Sequence, residues 1–173
     1  MKSKINEMYA QGLLTAGGIA NAIASGWITD ADAVSILGEE DGLAAAKTAR
    51  IAQSKAALAA YLEAHPIQWT DGAYYAITAD KQQQLTSKIM SATMAQTMSA
   101  DYHLTWNSTG EVCKEWTLAD LTALAFAIDA RVTALVTYQQ TQEVAMRGAE
   151  TLDDLRAVTV DYDSVGGTDA AGG

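Results

Sequence analysis

Leu118, Leu121, Ala125, Ile128, Val132 and Leu135 recur at alternating spacings of three and four, which puts them on one face of a helix. The pattern predicts one long helix from Thr117 to about Arg147 with this stripe buried. Ahead of it, Tyr102, Leu104 and Trp106 alternate with polar residues, Ser108-Thr109-Gly110 supplies turn chemistry, and 112–116 resumes an extended pattern. This predicts a hairpin over 101–116 with a three-residue loop and Gly110 left-handed, setting Trp106 opposite Val112 and Tyr102 opposite Trp116. An earlier segment, 67–77, carries Asp71-Gly72 between extended runs, a strong hairpin signal. A two-residue turn there pairs Trp69 with Tyr74 and Ile67 with Ala76. Residues 80–99 read as a helix capped by Asp80, with Leu85, Ile89 and Ala92 on the buried face and Met90, Met94 and Met98 widening it as gap-fillers.

The first 38 residues contain an echo. Gly12-Leu13-Leu14-Thr15 is matched fourteen positions later by Gly26-Trp27-Ile28-Thr29, and Ala20 and Ile23 by Val34 and Leu37. Each copy reads as turn, threonine cap, short helix. Residues 39–64 follow with strong helix formers, acids first and bases later, predicting one helix about 35 to 40 Å long. Its stripe (Leu43, Ala46, Ile51, Leu58, Leu62) is alanine-rich and thin, so it must pack on its own domain or on copies of itself. His65-Pro66 ends it. Thr151 starts a short last helix through Val158, and 161–173 read as a flexible tail.

The expected class is therefore α+β. N-terminal short helices (1–38) lead into a connecting alanine-rich helix (39–66), and two β-hairpins each followed by a helix form a two-layer sheet and helix domain (67–160). A mostly helical protein with hairpins as arms is the alternative reading.

Length and charge narrow the functions. The 173 residues sit near the size of one domain, long enough to bury about two-thirds of the unfolded surface. Twenty-one acidic residues against 11 basic give a formal net charge of −10, which repels a phosphate backbone, so no nucleic-acid partner is expected. The mostly apolar stretches are broken well short of the roughly 20 residues that span a bilayer, and residues 1–30 lack a charged-then-apolar leader. A soluble chain without a membrane partner is expected. Cys113, alone, allows neither an intrachain disulfide nor a thiolate-pair metal site, and a reducing compartment fits.

Candidate chemistry is sparse. His65 and His103 are the only histidines and read as structural. Glu39, Glu40 and Asp41, with Asp30 and Asp32, lie at helix starts, where free amides favour carboxylates. Asp161, Asp163 and Asp169 lack the regular spacing and closing glutamate of a calcium loop. Lys114 beside Cys113 is a weak basis for a nucleophile without a histidine motif. Trp69, Trp106 and Trp116 alternate as sheet core does, more than as a stacking platform for sugars or bases. No catalytic, cofactor or metal residues are assigned.

Two segments carry a resemblance. Tyr9, GLLT and GWITDADAVSILG, over roughly residues 1–38, resemble the XkdX-like family of small tailed-phage tail proteins. From residue 67 to about 158, WTDGAYYAIT, TWNSTGE and WTLADLTALAFAIDARVTALV are similar to a phage domain found in tail-fibre and tail-fibre-assembly proteins. The resemblance implies no nucleophile, base or metal ligand. It implies a structural component of a phage tail, at the baseplate or fibre attachment, in the virion and assembled in the host cytoplasm. Its partners would be other tail or fibre proteins and copies of itself, threefold because such fibres are trimeric; the alternative is a fibre-assembly chaperone absent from the mature particle. Tyr9, Leu14, Trp27 and Ile28 are the expected protein-interaction residues, Trp27 being either an anchor for a partner or a staple of its own helical pair.

Overall fold

Three helices in this protein end in the same way. After α1 (Lys2–Ala10) and α2 (Ala16–Ala24), Gly12 and Gly26 turn left-handed at φ +71° and +72°. The amide three residues past each helix end reaches back to close the last turn: Leu13 donates to Met8 and Trp27 to Ala22, both at 2.9 Å. Glycine reverses the chain here without a Cβ clash. The next residues then start a helix. Thr15 accepts a hydrogen bond from Gly18 N–H at 3.2 Å, and Thr29 forms a reciprocal capping box with Asp32 at the head of α3 (Asp30–Leu37). The echo in the sequence is thus an echo in hydrogen bonding.

The computed structural model describes residues 1–166. They are mostly helical with two small antiparallel sheets: after α3 come α4 (Glu39–Ala64), β1 (Ile67–Gln68), β2 (Tyr74–Tyr75), α5 (Ala79–Thr97), β3 (Thr105–Trp106), β4 (Lys114–Glu115), α6 (Leu118–Gly148), α7 (Leu152–Ala157) and α8 (Asp163–Gly166). Among these residues no helix is long and apolar enough to cross a membrane. The chain falls into two compact units, one of Met1–Ala57 with Tyr138–Asp161, the other of Leu58–Thr137 with the segment from Tyr162. These divisions differ from the expected boundaries at 38 and 66, because tertiary burial ignores element ends.

In the first unit, Ile5, Ile19, Ile23, Ile28 and Ile51 share a core with Met146, Ala149 and Leu155 from the C-terminal part of the chain. The thin stripe of α4 is used inside this unit. Ala45, Ala46 and Ala49 are buried, and Gly42 lets the helix backbone approach Val34 so closely that an added Cβ would lie 2.7 Å from its nitrogen. Polar contacts tie α4 to α6. The buried Gln139 amide donates to Ser54 Oγ (3.2 Å), and Glu143 receives Lys55 (2.9 Å) and Arg147 (2.6 Å). Hydrogen bonds from Arg147, Lys55 and Gln139 hold the Glu143 carboxyl down at about 2.

The second unit buries Ile77, Leu85, Ala92, Leu121, Leu124, Ile128 and Leu135. Both expected hairpins form, but as two separate sheets; the single sheet of the expected two-layer domain is absent, and the hairpins meet instead through a backbone hydrogen bond, Thr109 N–H to Tyr74 C=O at 2.7 Å, and an edge-on contact of Trp116 with Tyr75. Both registers also differ from expectation. Ile67 pairs with Tyr75 and Gln68 with Tyr74, because the turn is a three-residue loop: Gly72 N–H donates to Trp69 C=O, Gly72 sits at φ +80°, and Trp69 N–H closes on Ala73 C=O. Asp71 stabilises the longer loop by accepting from Ala73 N–H (2.9 Å) and the Tyr75 hydroxyl (2.7 Å). Burial and that bond push the Tyr75 phenol up to about 12. In the second hairpin Trp106 pairs with Lys114, two positions from the expected partner, with Gly110 left-handed as expected. A two-residue slip lengthens the loop without changing which face each side chain takes.

Further corrections concern α5 and the tail. Thr78, not Asp80, caps α5, accepting from Lys81 N–H. Met90, Met94 and Met98 do not widen its buried face; they are 60–74 % exposed. Nine residues beyond Leu85, Met94 stands about 180° round the helix, so the methionine row is centred opposite the core. In the segment expected to be a free tail, Tyr162 is buried and packs 5.7 Å from Tyr61, and α8 follows; the remainder, 167–173, lies outside the described residues.

The third helix ending lacks the glycine. After α5, Ala100 N–H donates to Ala95 C=O and Ser99 N–H to Gln96 C=O, and Ser99 takes φ +51°. A side chain in this region is strained. Ser99→Gly is expected to stabilise the protein by about 0.5 to 1 kcal/mol, the relief of strain exceeding the added freedom of the unfolded chain. The urea midpoint should rise with its slope unchanged.

Candidate functional site

The four expected interaction residues lie in the two turn-and-cap loops and the helix before the first. They do not form one surface. Ile28 is buried, and Tyr9 and Leu14 are partly buried against the same core. Trp27 alone of the four faces out, 60 % exposed, so it does not staple its own helical pair. The reason is the geometry of each loop. The residue after the left-handed glycine donates back to the helix and points outward, whereas the next residue turns in ahead of the threonine cap.

Leu13, the counterpart of Trp27 in the first copy, is 67 % exposed and was not among the expected residues. The fourteen-residue echo could have found it, since equivalent positions in equivalent motifs share an orientation. Each loop therefore presents one large apolar side chain on a backbone fixed by two hydrogen bonds and a cap. Such a side chain loses little freedom when a partner covers it. Asp32 holds the second loop further by receiving Lys2 at 2.7 Å; that contact, with bonds from Thr29, lowers its carboxyl to about 2.

Compared with protein-family models, characterised proteins and solved structures, the chain matches none. Its chemistry is accordingly read from the side chains alone. Among the described residues no group of three or more His, Cys, Asp or Glu side chains is placed to hold a metal ion. Glu39, Glu40 and Asp41 are exposed along the first turn of α4. His65 stacks on Tyr61 at 3.9 Å with its Nδ1 2.9 Å from the Tyr61 carbonyl, and His103 lies 3.8 Å from Glu115 in an exposed pair. Asp161 and Asp163 are exposed and Asp169 lies outside the described residues. Cys113 is exposed in the long loop of the second hairpin. Trp106 is core, 5 % exposed, while Trp116 is half-buried with its ring edge-on to Tyr75 at 5.5 Å, and Trp69 is half-buried in its turn.

Proposed function

We propose that this chain is a structural component of a bacteriophage tail, at the baseplate or fibre attachment, that acts through protein–protein contacts. The observation that carries the reading is the outward placement of Trp27 and Leu13 on rigid, repeated loops. Large apolar side chains that their own core leaves uncovered are typical anchors of an interface. The quoted resemblance of residues 1–38 and 67–158 to tail proteins supplies the kind of partner: other tail or fibre proteins, with further copies of this chain, in threefold symmetry if the fibre sets it. A net charge of −10 keeps free copies apart in solution, so assembly would begin at these apolar anchors.

A second reading, a fibre-assembly chaperone, is favoured by one feature. Met90, Met94 and Met98 form an exposed row of flexible, polarizable side chains of the kind that adapts to changing partners. Mass spectrometry of purified particles separates the two. A stoichiometric band is expected for the structural component, and a chain that binds fibre protein on co-expression but is missing from particles would replace that reading with the chaperone. Trp27→Ala should leave the urea midpoint unchanged within the equivalent of about 0.5 kcal/mol while weakening incorporation by about 2 kcal/mol or more. Unchanged incorporation of the Trp27→Ala, Leu13→Ala double variant would end the assignment of these loops as anchors.

A further inference from the structure

In the second unit an open groove of about 610 Å³ runs between α5 and the strand β3. One wall is a polar row from α5, with Gln83, Gln84, Ser87 and Ser91 beside Asp80 and Lys88; the other is the exposed Tyr102 ring, with the small accessible part of the buried Trp106 beside it. The volume lies in the range of small-molecule sites. What distinguishes the groove is its unused hydrogen-bonding capacity. The carboxamides of Gln83 and Gln84, the Ser91 hydroxyl, the Lys88 ammonium and the Tyr102 hydroxyl make no hydrogen bond within the described residues, and the Trp106 indole N–H, also without a protein partner, reaches solvent although the ring is buried. The Lys81 ammonium lies over the Trp106 ring, 5.3 Å from its centroid.

We propose that this groove binds a neutral, hydroxyl-rich oligosaccharide. A pyranose ring has an apolar face of C–H bonds and a rim of hydroxyls, each both donor and acceptor. Carboxamides and hydroxyls match that rim because they too donate and accept, and the exposed ring of Tyr102 matches the C–H face. Gln83, Ser87 and Ser91 repeat every four residues, about 6 Å along the helix axis, close to the length of one sugar unit. One acid and one base leave the groove without net charge, so it does not select a charged ligand, and the acidic chain disfavours a nucleic-acid strand. This inference is independent of the tail assignment: it concerns a different surface and a different class of ligand.

The test is titration of the full 173-residue chain, labelled with ¹⁵N, with maltotetraose, cellotetraose and chitotetraose up to about 10 mM, the range in which weak saccharide binding is read. At least one of the three is expected to shift the side-chain amides of Gln83 and Gln84 and the Trp106 indole N–H. Gln84→Ala and Tyr102→Ala, both at exposed positions that leave the core intact, should each weaken that binding about tenfold, the equivalent of one lost hydrogen bond or ring contact. Phe126→Ala, away from the groove, should leave it unchanged. Absence of shifts with all three sugars, or shifts that persist at full affinity in Gln84→Ala and Tyr102→Ala, overturns the proposal.

Discussion

Leu124→Ala is expected to destabilise the protein by about 3 kcal/mol, and Phe126→Ala, two positions away on the same helix, by less than about 0.5 kcal/mol. Leu124 is completely buried in the second unit, so its loss removes apolar contacts and leaves a cavity that the surrounding leucines fill only in part. Phe126 is 70 % exposed, and its ring already faces water. Transfer data alone would rank the phenylalanine as the costlier deletion, because it has the larger apolar surface. Position decides instead. Urea unfolding of the two variants side by side gives the comparison, and equal midpoints for both would show that α6 does not bury the face described.

The other large effect is Gly42→Ala. On an isolated helix this change is stabilising by nearly 1 kcal/mol, since alanine restricts the unfolded chain and favours the helix. In α4 the added methyl would sit 2.7 Å from the backbone nitrogen of Val34 and 2.8 Å from its Cγ2. Backbone cannot rotate away as a side-chain tip can, so α3 and α4 must move apart and lift Ala33, Ala45 and Ala46 out of close contact with the core. A net loss of about 2 to 3 kcal/mol is expected. Gly148→Ala is the matched control. Gly148 ends α6 with open space around it, and the same substitution there should be neutral or stabilising by about 0.5 kcal/mol. Thermal melts of the pair should move in opposite directions; a shared direction would place the cause in helix propensity and not in packing.

Much of the fold was legible in the sequence, and the residues show why. The bounds of α4, 39–64, were readable because Gly38 and His65-Pro66 bracket a run of strong helix formers. The capped starts at Thr15, Thr29 and Thr151 depend on a threonine oxygen and an amide three residues on, so a short window of chain contains both partners. The turns at Gly12, Gly26 and Gly72 and the left-handed Gly110 were readable because a glycine has no Cβ to clash there. The α6 stripe was right in direction, with Leu121, Ile128 and Leu135 buried, but it missed Leu124, which widens the face.

The candidate site was legible only in part. Trp27, singled out as a large aromatic on a small unit, is exposed, whereas Tyr9, Leu14 and Ile28, expected beside it, pack on the core. A sequence pattern marks which residues are apolar. It does not say which of two neighbours turns outward, and here the hydrogen bonds after Gly12 and Gly26 decide it. The groove beside α5 was not legible at all, because it needs Tyr102 and Trp106 brought against a helix that ends before them.

By itself the sequence determined the local pieces: where helices start and stop, where the chain reverses, and that the surface is acidic with a single thiol. These depend on groups within a few residues of one another, whose steric and hydrogen-bonding preferences act before any tertiary contact forms. Only the tertiary structure decided the strand registers, the outward methionine row, the exposure of Leu13 and Trp27, and the gathering of 138–161 with the N-terminal helices. Those outcomes are set by competition among distant apolar surfaces for the same buried volume, and no local segment contains the other side of that contest.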